Sequence, residues 1–463
     1  MVRDIFLGPR KRAKNSRSVS HRLRSLATDR EVWKAKYYDT WTRSRTRNAP
    51  HHDTIDWKRQ FKIKTNWAAG SARVLEVEIA QPPSPLVVCK VQKGLIWTVD
   101  RGSGLRLWSR KDGIRILKAQ MRLEQPLEPT CIAVETLDRK TDILLGFSNG
   151  TFSMYVYDGV SFKLYYTQTT HDGPLLAVSL AMPYAMTISK TKFLSLYRLR
   201  DEEQNPGAIT PVTRLQSDAS FSPISLALRR APGTIIATIA YSFNRLNSGW
   251  CMGLQEIRLN INGAVLNSRL ASSLDTPFDS QYQVRKKSRW EVSTRSTSSV
   301  PFPLHPQLMS PPTSLSYEHP FLISTLADNT IMSFLVTSNE KKLEISTGRR
   351  LWGHTSAVSV AEVNNRGKAV SISGRGDEIR VWELETVMMS GSHSRTSTEV
   401  RAVDALSGVA VAMARRGSGL GLALHEMQRE LELTRRWVGF DEEQVVVLGE
   451  RDQKQIMALY DFT

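Results

Sequence analysis

Catalysis and metal binding need particular side chains at particular spacings, and this sequence offers few such sets. Gly417-Ser418-Gly419-Leu420-Gly421 follows an apolar strand, as a phosphate-cradling loop would. It lacks the sixth-position glycine, precedes another strand where a helix is needed, and repeats the RGSGL string of 101–105 at 416–420. It therefore reads as a turn. His425-Glu426 has no second histidine four residues after the first, so no zinc-protease motif exists. His51-His52-Asp53 is an isolated cluster that reads as surface. Cys89, Cys131 and Cys251 lie too far apart for a disulfide framework or a four-ligand zinc site, and fit a reducing compartment. No Gly-x-Ser-x-Gly occurs, nor any Cys/His pairing that suggests a nucleophile. The expectation is a protein that is not an enzyme and has no catalytic residues, cofactor or metal.

What remains is charge in turns. Arg101, Lys190, Lys192, Arg375, Arg415, Arg416 and Arg451 stand at hairpin tips, interspersed with Asp100, Asp328, Asp377, Glu450 and Asp452. Guanidinium forks pair bidentately with phosphate or carboxylate. If the tips share a face, they form a candidate substrate rim for an acidic or phosphorylated peptide. The plainer reading is solvated turn residues with mixed partners.

The elements that must position these turns are strands. Eight hairpins recur between residues 95 and 462, each an apolar strand, a short polar or glycine turn, and an alternating strand. The clearest are 95–109, 369–385 and 409–426; the others are 142–159, 184–200, 235–259, 321–338 and 444–462. A spacing of about 49 residues suits a β-propeller of seven or eight blades, and two-residue alternation excludes helical repeats. Residues 72–80 form a spare strand before the first hairpin, while the last hairpin has no outer strand after it. Joining the two would close the ring and remove its free edges.

The ends and insertions differ in composition. Of the net charge of +18, residues 1–67 carry +12, so the high isoelectric point describes a basic arm. Residues 1–17 are expected to be a disordered basic arm, 18–67 a helical segment and linker, and 72–463 the propeller. The Ser/Thr/Pro/Arg-rich stretch of about 275–312 is expected to be a disordered insertion. No apolar run approaches the ~18 residues of a membrane span.

Two stretches carry a family resemblance. Residues 351–385, with Gly353-His354 and Trp382-Glu383, resemble a WD repeat. The resemblance implies a buried network of His354, Ser373, Asp377 and Trp382, although Asp377 stands five residues before Trp382 where six is usual. Residues 18–41 resemble the second half of an F-box, with Leu23, Leu26, Trp33, Tyr37 and Trp41 at the apolar positions; the Leu-Pro start of that module is replaced by MVRDIFLGPRKRAKNSR. Together they resemble a fungal-type F-box/WD-repeat protein with a truncated F-box.

That resemblance implies a substrate-recruiting adaptor of a cullin-type ubiquitin ligase, with a Skp-type adaptor, cullin subunits and a substrate protein as partners. The rival expectation is a WD-type scaffold without a ligase link, binding RNA or assembling ribosomes through its basic arm. There Trp33, Tyr37, Tyr38 and Trp41 would serve as stacking platforms beside the cations. Lys11-Arg12-Ala13-Lys14 fits a short nuclear-import patch, so the expected location is cytoplasmic, nuclear or both.

Overall fold

The computed structural model describes residues 25, 27–41, 55–80, 86–111, 114–124, 127–137, 140–199, 209–216, 221–245, 249–260, 264–274, 310–374, 378–385, 397–402, 434–451 and 454–463. Seven sheets, antiparallel but for one short parallel pairing, form a seven-bladed propeller. Blades one to six span 88–121, 129–169, 175–216, 221–272, 314–345 and 358–399; blade seven is 434–461 closed by Ser71–Ala80. The eighth expected hairpin, 409–426, lies outside the described residues, and the other seven each form the two middle strands of a blade.

Burial explains why these runs become strands of different character. The second strands of blades three and five, Tyr184–Ser189 and Phe321–Thr325, are buried along their whole length, because neighbouring blades cover both sheet faces. Outer strands such as Phe162–Thr169 and Val265–Ser272 are largely exposed. Each inter-blade layer has its own apolar core, for example Val87, Cys89, Ile96 and Trp108 of blade one against Val446, Leu448 and Met457 of blade seven.

The expected closure is present. Ser71–Ala80 pairs antiparallel with Lys454–Asp461, with Val74 opposite Tyr460 and Val77 opposite Met457. On its other edge Ser71 and Ala72 pair in parallel with Arg401 and Ala402.

Among the described residues, helices α1 (Arg30–Trp41) and α2 (Trp57–Ala69) precede that strand. The Asp56 side chain caps α2 by accepting from the Arg59 N–H, and Gly70 ends it at a φ of 65°, a left-handed turn that glycine adopts without strain. Helix α2 buries Ile63 and Trp67 against blades six and seven. It reaches the turn between the first two strands of blade seven: Trp67 Nε1 donates to Glu442 O (2.9 Å) and Arg59 pairs with Glu443 (2.7 Å). In an up-and-down sheet, successive turns lie at opposite ends. The helices therefore sit on the face opposite the turns between second and third strands.

Candidate functional site

Three places hold the side chains expected to matter: the blade-six network, the turn face and the helix pair.

In blade six, His354 is buried between two middle-strand partners. Its Nδ1 lies 3.2 Å from Glu378 Oε2 and its Nε2 2.6 Å from Ser371 Oγ, which also accepts from Trp382 Nε1 at 2.8 Å. An indole N–H only donates, so Ser371 uses a lone pair for Trp382. With its proton given to Nε2, a neutral ring with Nδ1–H satisfies Glu378 as well. Glu378 Oε2 further accepts from the Thr355 N–H at 2.9 Å, and Oε1 pairs with Arg380. Burial pushes the Glu378 carboxyl up, but the Thr355 N–H, Arg380 and His354 outweigh it and hold it below the usual carboxylate range.

One expectation is corrected here. The bridging hydroxyl is Ser371, not Ser373, whose Oγ instead accepts from the Glu378 N–H at 3.1 Å. Glu378, just before the third strand, presents a carboxylate to His354 Nδ1; the expected Asp377 lies outside the described residues.

The turn face carries part of the expected rim. Arg101 and Lys190 are exposed and Lys192 is half-buried; Arg101 and Lys190 stand on blades one and three, with blade two between them. Arg451 ends the second strand of blade seven, while Arg375, Arg415 and Arg416 lie outside the described residues. Asp100 does not belong to the solvated rim: it is fully buried, accepting from the Gly102 and Ser103 N–H groups at 2.8 and 2.6 Å and pairing with Arg106.

Beside Lys190 and Lys192 the outer parts of blades two and three leave an open groove of about 250 Å3, lined by Gln168 to Asp172, Tyr197 and Arg214. Arg214 pairs with Asp172 and its guanidinium lies 4.0 Å from the Phe193 ring centroid. Arg214 sits in an alternating outer strand, and nothing in its local sequence distinguishes it from a solvated arginine.

The helix pair is internally braced. Trp33 packs on Phe61 (5.6 Å between ring centroids) and donates its Nε1 to Ala27 O at 2.9 Å, while Tyr37 and Tyr38 pack on Trp57 at 5.3 and 5.5 Å. These aromatics fill the α1–α2 contact, which takes those ring faces away from the base stacking of the RNA expectation. Trp41 is half-buried at the end of α1; Leu23 and Leu26 lie outside the described residues.

With this geometry in hand, residues 72–463 match the family model described as the F-box protein pof12 beta-propeller. The chain belongs to that family. Among solved structures, the pof12-type propeller is similar to the WD40 beta propeller domain of Doa1, at 13% identity over 84% of this chain and 96% of that one, with a TM-score of 0.43. It is also similar to the C-terminal WD40 domain of Sif2, at 12% identity over 84% of each chain, with a TM-score of 0.41. No curated protein matches the sequence.

The pof12-type propeller repeats the logic of its blade-six network in blade one with other residues, which sequence reading missed. Trp108 Nε1 donates to Thr98 Oγ1 at 2.9 Å, as Trp382 does to Ser371. In place of a histidine, Arg106 bridges Asp100 to the Ile79 carbonyl (2.7 Å) of the closing strand. The available signal was Trp108 at the end of the RGSGL hairpin. Among the described residues, no group of three or more His, Cys, Asp or Glu is placed to hold a metal, and no helix is long and apolar enough to cross a membrane.

Proposed function

We propose that this pof12-family chain is a fungal-type substrate-recruiting adaptor of a cullin-type ubiquitin ligase. Its propeller holds a substrate protein, its N-terminal segment meets a Skp-type adaptor, and covalent chemistry belongs to partner subunits. The observation that carries this reading is the fixed placement of the helix pair. Helix α2 is locked to blade seven by the Trp67–Phe462 stack, with ring centroids 3.8 Å apart, on the face opposite the basic turns. A substrate on the turn face and a ligase on the helix face are thus held apart by a rigid ring. In this reading Trp33 and Tyr37 brace the pair, Leu23, Leu26 and Trp41 meet the adaptor, and Arg101, Lys190 and Lys192 belong to the substrate face with Arg375, Arg415, Arg416 and Arg451.

Affinity purification of the tagged full chain tests it. Skp-type and cullin subunits are expected to co-purify, and Leu23→Asp with Leu26→Asp should abolish their recovery while the propeller still melts cooperatively. Absence of both subunits from the wild-type chain overturns the proposal.

A further inference from the structure

We infer that the groove between blades two and three takes an oxyanion-bearing side chain, carboxylate or phosphate, of a bound polypeptide, with Arg214 as its principal cation. This rests on the reading of the propeller as the substrate-holding unit. At about 250 Å3 the groove falls just below the roughly 300–1,000 Å3 of small-molecule sites, a size for one side chain and adjoining backbone.

The chemistry of its walls selects the occupant. Gln168, Thr169 and Thr170 form one side, their side chains already bonded to Thr169 O, Thr151 Oγ1 and Gly150 O, while Tyr197 adds an aromatic surface and Arg214 the charge. Asp172, whose side chain is only 12% exposed, holds Arg214 through Nη2, while the guanidinium side chain remains 55% exposed. The sunken carboxylate therefore orients the guanidinium, and Arg214 has no other acceptor among the described residues. Five N–H donors on a planar fork leave a face for a second oxyanion. Among the described residues here, Arg214 with Lys190 and Lys192 of the adjoining turn stand against Asp172, an excess of two positive charges.

The walls are also set in advance, which lowers the ordering cost of binding. The Thr170 N–H donates to Gly150 O at 3.2 Å, the Lys190 N–H to Pro174 O at 2.7 Å, and the Thr191 hydroxyl to Asp172 O. Phe193 under the Arg214 guanidinium restrains its swing.

The test uses the full chain and three fluorescein-labelled peptide pools. Each has a central Glu, phosphoserine or Ser flanked on both sides by five random residues free of Asp, Glu and Cys. Fluorescence anisotropy should show the Glu pool, the phosphoserine pool or both binding at least tenfold more tightly than the Ser pool. Which of them binds tells carboxylate from phosphate. Arg214→Glu should abolish the difference. Lys190→Glu, at an exposed turn position whose ammonium has no acceptor among the described residues, should weaken it several-fold with an unchanged melting temperature. Anionic pools that bind no better than the Ser pool, or equally well to both variants, overturn the inference. Skp co-purification from the same preparation is scored separately. Adaptor recovery without anionic binding removes the groove alone; anionic binding without adaptor recovery removes the ligase reading and leaves the groove as a peptide site.

Discussion

Lys90 and Glu362 meet at 3.2 Å although they stand on the innermost strands of blades one and six, with blade seven between them. The contact passes over Gly439, on the innermost strand of blade seven. A Cβ there would lie 3.1 Å from Glu362 Oε2 and 2.2 Å from the Trp437 ring. The carboxylate beside it raises the Lys90 ammonium above its ordinary range. Blade seven is thus spanned by a charge pair from its two neighbours.

Gly439→Ala should therefore destabilise the protein by about 1–3 kcal/mol, the usual cost of forcing an extra methyl into a packed site. Thermal unfolding checks it. A variant that melts with the wild type would contradict so close an approach of Trp437 and Glu362.

The blade-six network makes a pH-dependent prediction. Glu378 is held below its ordinary value of 4.5 in the folded state. A carboxyl depressed on folding contributes stability above its unfolded pKa and loses it as the pH falls through the folded value. Glu378→Gln should accordingly be less stable than wild type at pH 7, and the gap should narrow as the pH drops below about 4.5. Ser371→Ala removes the oxygen shared by His354 and Trp382 and leaves buried polar groups unpaired, costing about 1–3 kcal/mol at neutral pH. Denaturant titrations at pH 7 and pH 4 separate the two variants.

The ring is legible in the sequence because each blade's two middle strands form one short hairpin with period-two apolar residues. The closing strand is legible because 72–80 has no hairpin of its own. Which polar residues are buried is not legible, since that depends on neighbouring strands and blades. Asp100 reads as an ordinary turn residue before Gly102, yet Arg106 and two turn N–H groups enclose it. Leu254-Gln255-Glu256-Ile257-Arg258 reads as a strand with a solvated polar side, yet Glu256 is completely buried among Arg229, Arg258, Arg269 and blade five's Ser338.

Glu256 carries the third prediction. Its buried carboxylate receives Arg258 Nε at 3.0 Å, Arg229 Nη2 at 3.3 Å, Arg269 and the Ser338 hydroxyl of blade five. Burial pushes its carboxyl up, but Ser338, Arg269 and Arg258 outweigh burial and hold it down. Arg258 and Arg269 also donate to Asn339 O at 2.9 and 2.7 Å, stitching blade four to blade five. Glu256→Gln leaves three guanidinium groups without their counter-charge and should cost about 3–5 kcal/mol. Urea unfolding should show a much smaller loss for Arg229→Met, which leaves two cations on the carboxylate. Equal losses would mean that the carboxylate is not the centre of the cluster.

The last prediction concerns the link between helix pair and ring. Trp67 stacks on Phe462 with ring planes 10° apart, donates to Glu442 O, and lies under Lys368 Nζ at 4.1 Å. Both aromatic side chains are buried, and the chain runs from α2 through Gly70 directly into the strand that closes blade seven. Losing the Trp67 ring therefore loosens two things: the docking of α2 and the end of the closing strand. Trp67→Ala should cost about 3–5 kcal/mol, the range for truncating a buried tryptophan, and should speed limited proteolysis near residues 69–72. Trp33→Ala breaks only the α1–α2 contact, so it should expose α1 to protease while melting of the ring changes little. If Trp33→Ala opens the 69–72 segment as fast as Trp67→Ala does, α1 and not the Trp67–Phe462 stack secures the closing strand.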